Sequence, residues 1–212
     1  LQDYLIVLAI LLTVAIFGIL EGVGFGIILS VFLFVHRYSR LGIIHARLSG
    51  VDYTANIDRA QQQHAFLDSR GQEIQIFILR GFIFFASANQ LLEQMQVLIR
   101  DTSTTALSYI ILDLSRVEGL DSSAINSLTK IMQACRRANI RLVLTGGPPD
   151  VAAQIRDLKA GLKLADSQVR ILQDLDQGVG DCQDEILAQA DDIEEIVSDD
   201  IGQFLQGVLG TE

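Results

Sequence analysis

Basic residues run out early in this chain of 212 residues: no Lys or Arg follows Arg170, whereas 12 of the 26 acids do. The other 14 acids and all 16 bases lie upstream and nearly cancel, so the formal net charge of -10 belongs to the last part of the sequence. A nucleic-acid binder needs a basic stripe or patch that neutralises phosphates, and neither the balanced middle nor the acidic end supplies one. Nucleic acid is therefore set aside as a partner. Cysteine is nearly missing: Cys135 and Cys182 stand far apart, with no CxxC and no clustered His. That argues against a disulfide framework and a zinc site, and no cofactor signature takes their place. His45 and His64 lack ligand-spaced partners and receive no role. Catalytic pairs are missing as well. Asp113 and Asp121 read as strand-end and turn carboxylates rather than an acid–base couple, and no nucleophile has a base beside it. The expectation is no catalytic residue and no enzyme, with a hydrolase as the reading that has nothing to rest on.

Charge is scarce at the start, where Asp3 and Glu21 are the charged side chains before Arg37. Tyr4 to Val35 is an apolar run broken by Glu21. As one straight helix it would rise about 48 Å, well beyond a hydrocarbon core of roughly 30 Å. Two short membrane arms fit better than one tilted helix, with the turn at Glu21-Gly22 and with Gly18, Gly22, Gly24 and Gly26 letting the arms approach. Arg37, Arg40 and Arg47 follow the second arm and no base precedes it, which puts the rest of the chain on the cytoplasmic side. The first arm has no basic lead-in and no cleavage site of small residues, and the chain opens on Leu, so the expectation is a segment from inside a longer protein. Leu41, Ile43, Ile44 and Leu48 among the arginines suggest an interfacial helix, or equally a plain connector.

From Ser49 to Arg70 the chain turns polar and reads as a linker with a partial helix. Strands are expected at Ile74–Leu79, Phe82–Ala86, Tyr109–Leu114, Arg141–Thr145 and Val169–Leu172. Between them lie helices: one capped by Ser87 with Gln90 and striped by Leu91, Leu92, Met95, Leu98 and Ile99, one opening at Asp121-Ser122 and stopping at Asn139, one capped by Asp150. Alternating strands and helices give an α/β domain with a core of its own.

The run Tyr109 to Ser115, then Val117 to Leu120, then Asp121-Ser122-Ser123-Ala124 opening a helix, resembles the signature of the STAS domain. That domain occurs in bacterial anti-sigma-factor antagonists and at the C-terminus of SulP-family sulfate permeases. The apolar hairpin, with Phe17-Gly18 and Glu21-Gly22-Val23, is similar to the last two spans of those permeases, and Gly81 to Phe85, Ala88-Asn89 and Asp174 to Asp176 are similar to one SulP subgroup. The resemblance implies a STAS-like mixed sheet with packed helices after a transmembrane hairpin. Residues 1–37 are the hairpin, 38–72 interfacial helix and linker, 73–176 the STAS domain and 177–212 an acidic helical tail.

It further implies a multi-pass integral membrane protein, a homodimer, moving sulfate or a related inorganic anion at a site in upstream helices, with a cytoplasmic domain that regulates transport, trafficking or dimerisation. Its partners are the bilayer, those upstream helices and a regulatory protein. The alternative is a membrane-tethered signalling module of the antagonist type. In the antagonists the second serine accepts phosphate, which maps onto Ser123 in the Asp121-Ser122-Ser123 turn. At a helix N-terminus a phosphate meets unpaired N–H groups and the dipole, and adds about -1.5 to -2 charges. The plainer reading of the same turn is helix capping, in which Ser122→Ala mainly lowers stability.

Overall fold

The computed structural model describes residues 2–39, 42–100 and 107–190. It divides into two units, 1–42 and 43–212. The first holds helices α1 (Gln2–Phe17) and α2 (Ile19–Ser39). Gly18, at a φ of +109°, turns the chain sharply between them, a conformation that costs glycine little and other residues much. A Cβ on Gly22 would stand 2.1 Å from Val14 Cγ2, and one on Gly26 would stand 3.3 Å from Ile10 Cδ1. Both pairs are centred on Gly18 in sequence, as antiparallel arms require. The turn therefore lies at Gly18 rather than Glu21-Gly22, because only glycine enters that backbone region freely; Glu21 sits instead in the first turn of α2, where a carboxylate suits the dipole. Gly24 meets nothing within 4 Å. Leu20, Ile28 and Phe32 are 83%, 70% and 66% exposed, so the hairpin buries glycines and turns its large apolar side chains outward. Among the described residues no helix is long and apolar enough to cross a membrane. The 16 residues of α1 rise only about 24 Å.

The second unit is built on a five-stranded sheet in the order β1 (Ile44–Ser49), β2 (Ile74–Ile83), β3 (Tyr109–Leu120), β4 (Arg141–Thr145), β5 (Val169–Leu172). The first pair is antiparallel and the other three are parallel. Helices α3 (Gln61–Arg70), α4 (Phe85–Arg100), α5 (Ser122–Arg137) and α6 (Pro149–Gly161) join in chain order, and residues 175–190 form a further helix, α7.

Alternation along the inner strands decides what each face buries. Phe77, Leu79, Ile110, Leu112, Leu142 and Leu144 pack with Leu91, Met95, Leu128, Ile131 and Ile155 of α4, α5 and α6. Their neighbours Ile74, Ile76, Tyr109, Ile111 and Val143 pack on the other face with Ala55, Leu67, Val179, Cys182 and Ile186. Burial on both faces is why these strands read as continuous apolar runs, each Leu or Ile contributing roughly 1.5–3 kcal/mol.

Several expectations change. The stretch expected as an interfacial helix is, over Ile44–Ser49, an edge strand with alternating burial. Ile74–Leu79 and Phe82–Ala86 are not two strands. The first run continues to Ile83 across register shifts, with Gly81 at a φ of +74°, and Phe85 already opens α4. The polar stretch 49–70 and the start of the expected tail are parts of the domain, because they supply its second core.

Candidate functional site

β3 ends at Leu120 beside Ile83 of β2, and the chain enters α5 after one residue. That residue is Asp121, held extended at φ -90°, ψ 176°. Its N–H donates to the Ile83 carbonyl at 3.1 Å, and its carbonyl accepts from Ile125 at 3.1 Å. Its Oδ1 accepts from the Ala124 N–H at 2.7 Å, which caps α5, while Oδ2 accepts from the Phe85 N–H at 3.2 Å in the first turn of α4. One carboxylate thus serves two helix starts. Each start carries unpaired N–H groups and the positive end of a dipole, so the charge is well placed.

Asp121 is the cap, and Ser122 and Ser123 are the first two helical residues. The expected capping role of Ser122 therefore passes to Asp121, and Ser122 is exposed while Ser123 is half-buried. Ala124 is fully buried. Beside the turn Phe85 is 65% and Phe82 44% exposed, and Phe82 lies so close to Gly119 that a Cβ there would stand 2.6 Å from its ring. At α4 the Ser87 hydroxyl accepts from the Phe84 N–H at 3.0 Å and donates to the Phe84 carbonyl at 3.1 Å, so the helix opens two residues before the expected Ser87 cap.

Asp113 is buried and does not share the turn. Its carboxylate accepts from the Ser115 N–H at 3.2 Å, the Ser115 hydroxyl at 2.7 Å and the Thr145 hydroxyl at 3.2 Å. Three donors on one buried carboxylate tie the middle of β3, where the sequence suggested a strand end, to the end of β4. Among the described residues no group of His, Cys, Asp or Glu is arranged to hold a metal ion. Burial pushes the thiols of Cys135 and Cys182 up to about 12, so both stay protonated at neutral pH.

Three arginines were expected at the membrane interface. Arg40 lies outside the described residues and Arg37 belongs to the backbone of α2. Arg47 sits on β1, where Nε donates to Gln75 Oε1 at 3.0 Å and the guanidinium lies 5.4 Å from the centre of the Phe77 ring.

What the sequence reading passed over is the attachment of α7. Glu185 accepts from the Tyr109 hydroxyl at 3.1 Å and pairs with Arg141 and, at 3.0 Å, with Arg170, which also holds Asp181. The signal was in the sequence. Asp174 accepts from the Gln177 N–H at 2.8 Å, a helix-start pattern, and Leu175, Val179, Cys182 and Ile186 follow at helical spacing.

The STAS domain family matches residues 69–170. The vacuolar basic amino acid transporter of Saccharomyces cerevisiae is 26% identical over 149 residues, which cover 68% of this chain and 14% of that protein. The murine Solute Carrier 26 family member A9 anion transporter, solved in the inward-facing state, superposes with a TM-score of 0.51 at 16% identity, over 80% of this chain and 25% of the transporter. A SulP transporter STAS domain from Vibrio cholerae gives a TM-score of 0.45 at 19% identity, over 61% of this chain and 99% of that domain. The chain thus spans a small part of the length of either transporter.

Proposed function

We propose that this chain, whose residues 69–170 match the STAS domain, is the regulatory end of a secondary active transporter: two short membrane arms followed by a cytoplasmic STAS domain that controls transport or trafficking. The observation that carries this reading is the order of two unlike parts. An α1–α2 hairpin with its large apolar side chains outward stands directly before a STAS-like sheet. Exposed apolar surface of that extent needs lipid or other helices to cover it. An arm shorter than the bilayer core, as α1 is, is accommodated by packing beside neighbours and by local thinning. The neighbours are the upstream helices of the whole protein, which also hold the transport site and a dimer partner. The resemblance to sulfate permeases favours sulfate or a related inorganic anion as substrate. The name of the yeast relative makes a basic amino acid the competing substrate.

The test is sidedness. A cysteine placed at Ser122 is expected to react with a membrane-impermeant maleimide only after cells are opened, and the chain to stay with membranes after an alkaline carbonate wash. Labelling of intact cells, or release by the wash, overturns the reading; Cys135 and Cys182 are buried and serve as silent background.

Within the same proposal the Asp121-Ser122-Ser123 turn is the regulatory face, and Ser123 its phosphate acceptor. A phosphate there would stand over two helix starts already bridged by Asp121, beside the exposed Phe82 and Phe85. Ser123→Asp is expected to change transport rate or partner binding with an unchanged thermal midpoint; unchanged transport and binding would leave the turn as a cap alone.

A further inference from the structure

β5 stands last in the sheet order, so only one of its sides is paired. The Leu142 N–H donates to the Gln168 carbonyl at 3.0 Å, and the Gly146 N–H to the Leu172 carbonyl at 3.3 Å. With Leu142 beside Val169 and Leu144 beside Ile171, that parity turns the backbone groups of Gln168, Arg170 and Leu172 toward β4. Those of Val169, Ile171 and Gln173 point away from the sheet. Two of the outward donors are already satisfied: the Val169 N–H reaches the Ala165 carbonyl at 3.0 Å and the Gln173 N–H reaches Gln177 Oε1 at 3.2 Å. Between them the N–H and the carbonyl of Ile171 have no partner among the described residues. One residue offering both groups outward is what a further strand pairs with.

A hollow of about 610 Å³ opens beside this edge, lined by Ile171 and Leu172 of β5 and by Arg156, Lys159 and Lys163. Arg156 and Lys159 lie one turn apart on α6, and Lys163 follows its end. Lys159 pairs with Asp166, whereas Arg156 and Lys163 have no acid partner among the described residues. The Ile171 side chain packs on the core that α6 helps to cover. In an added strand, the residue opposite Ile171 and those two places to either side turn to the same face, toward these cations. We propose that the β5 edge accepts an extended acidic peptide of a partner protein as a sixth strand, with a carboxylate at every second position facing Arg156, Lys159 and Lys163. Such carboxylates stand about 6.8 Å apart and successive helical turns about 5.4 Å, a mismatch that long Lys and Arg side chains absorb. A second copy of the same edge would bring like charges together, so the cations select against self-pairing and for an acidic partner.

Fluorescence anisotropy of a labelled probe of four Glu-Val repeats, titrated with the intact chain in a neutral detergent, reads the pairing. The probe is expected to bind about tenfold more tightly than a Ser-Val probe of the same length. N-methylation of the glutamate amides, which face Ile171 in an antiparallel pair, is expected to abolish that binding, and N-methylation of the valine amides, which face away, to leave it. Arg156→Glu with Lys163→Glu is expected to weaken the Glu-Val probe about tenfold and to admit a Lys-Val probe instead. Lys130→Glu, at an exposed position of α5, is expected to change neither. A loss confined to one methylated set supports an added strand, whereas an equal loss from both overturns the proposal, because charge then acts without backbone pairing. Binding of Glu-Val no tighter than Ser-Val overturns it as well. Self-association that rises with chain concentration and resists the probe assigns the edge to a second copy and also overturns it. The methylation arm uses the unaltered chain and stands even if a variant fails to fold.

Discussion

Asp121 does more than a helix cap requires. Its two carboxylate oxygens serve α5 and α4 separately, and its backbone N–H ties the turn to the end of β2. Loss of an N-cap side chain costs roughly 1 kcal/mol, and the Phe85 N–H would lose its acceptor as well. Asp121→Ala is therefore expected to lower stability by about 2 kcal/mol in urea unfolding. Ser122→Ala, at an exposed first helical position, is expected to stay within about 0.5 kcal/mol. Equal losses for the two would return the capping role to the serine. The buried thiols make a second residue-scale prediction. Cys135 and Cys182 have folded values of about 12, above an ordinary thiol, so the unfolded chain releases these protons first as pH rises. Their contribution is complete below the unfolded value near 8.5 and is lost as pH climbs towards 12. The urea midpoint is expected to fall between pH 9 and pH 11, and to fall less in a Cys135→Ala, Cys182→Ala chain.

Elements with strong internal periodicity were legible in the sequence. β4 and β5 match their expected limits, and the apolar stripe of α5 ends at Asn139, which takes a φ of +55° while Ile140 donates back to the Cys135 carbonyl. Elements whose identity depends on a distant partner were not. Ile44–Ser49 becomes a strand because β2 offers it an antiparallel edge, and α3 has little amphipathic signal, its one fully buried residue being Leu67. At the candidate site the Asp-Ser-Ser turn was legible as a helix start, whereas the second bond of Asp121 runs to Phe85, 36 positions away. The hairpin tests the same point. Its glycines are not equivalent, since Gly22 is pressed against Val14 and Gly24 meets open space. Gly22→Ala is expected to separate the arms and to lower the thermal midpoint of the chain in detergent, at a cost of roughly 1–3 kcal/mol, while Gly24→Ala has little effect. A cysteine pair at Ile10 and Gly26 that still crosslinks in the Gly22→Ala chain would show that the arms do not depend on that contact.

At the scale of the molecule, the sheet has two apolar faces, and a chain cut at residue 176 leaves one of them incompletely covered. α4, α5 and α6 close the first; the second is closed by the loop around Ala55, by α3 and by α7. The family match ends at residue 170, yet Val179, Cys182 and Ile186 are each at most 1% exposed, so the folded unit continues beyond that match. α7 is fastened by packing and by charge together. Glu185 joins Tyr109, Arg141 and Arg170, all on strands, and its side chain is only 23% exposed. Removing one partner of a partly buried ion cluster leaves the others uncompensated, so Glu185→Ala is expected to cost about 2–3 kcal/mol. Ending the chain after Asp176 would uncover Ile74, Ile76, Ile111 and Val143 on strands that are otherwise intact. That chain is expected to bind an apolar dye such as ANS and to aggregate, whereas one ending after Ala190 keeps the cooperative unfolding of the whole domain. If both unfold alike and neither binds the dye, α7 is an accessory and the second core closes without it.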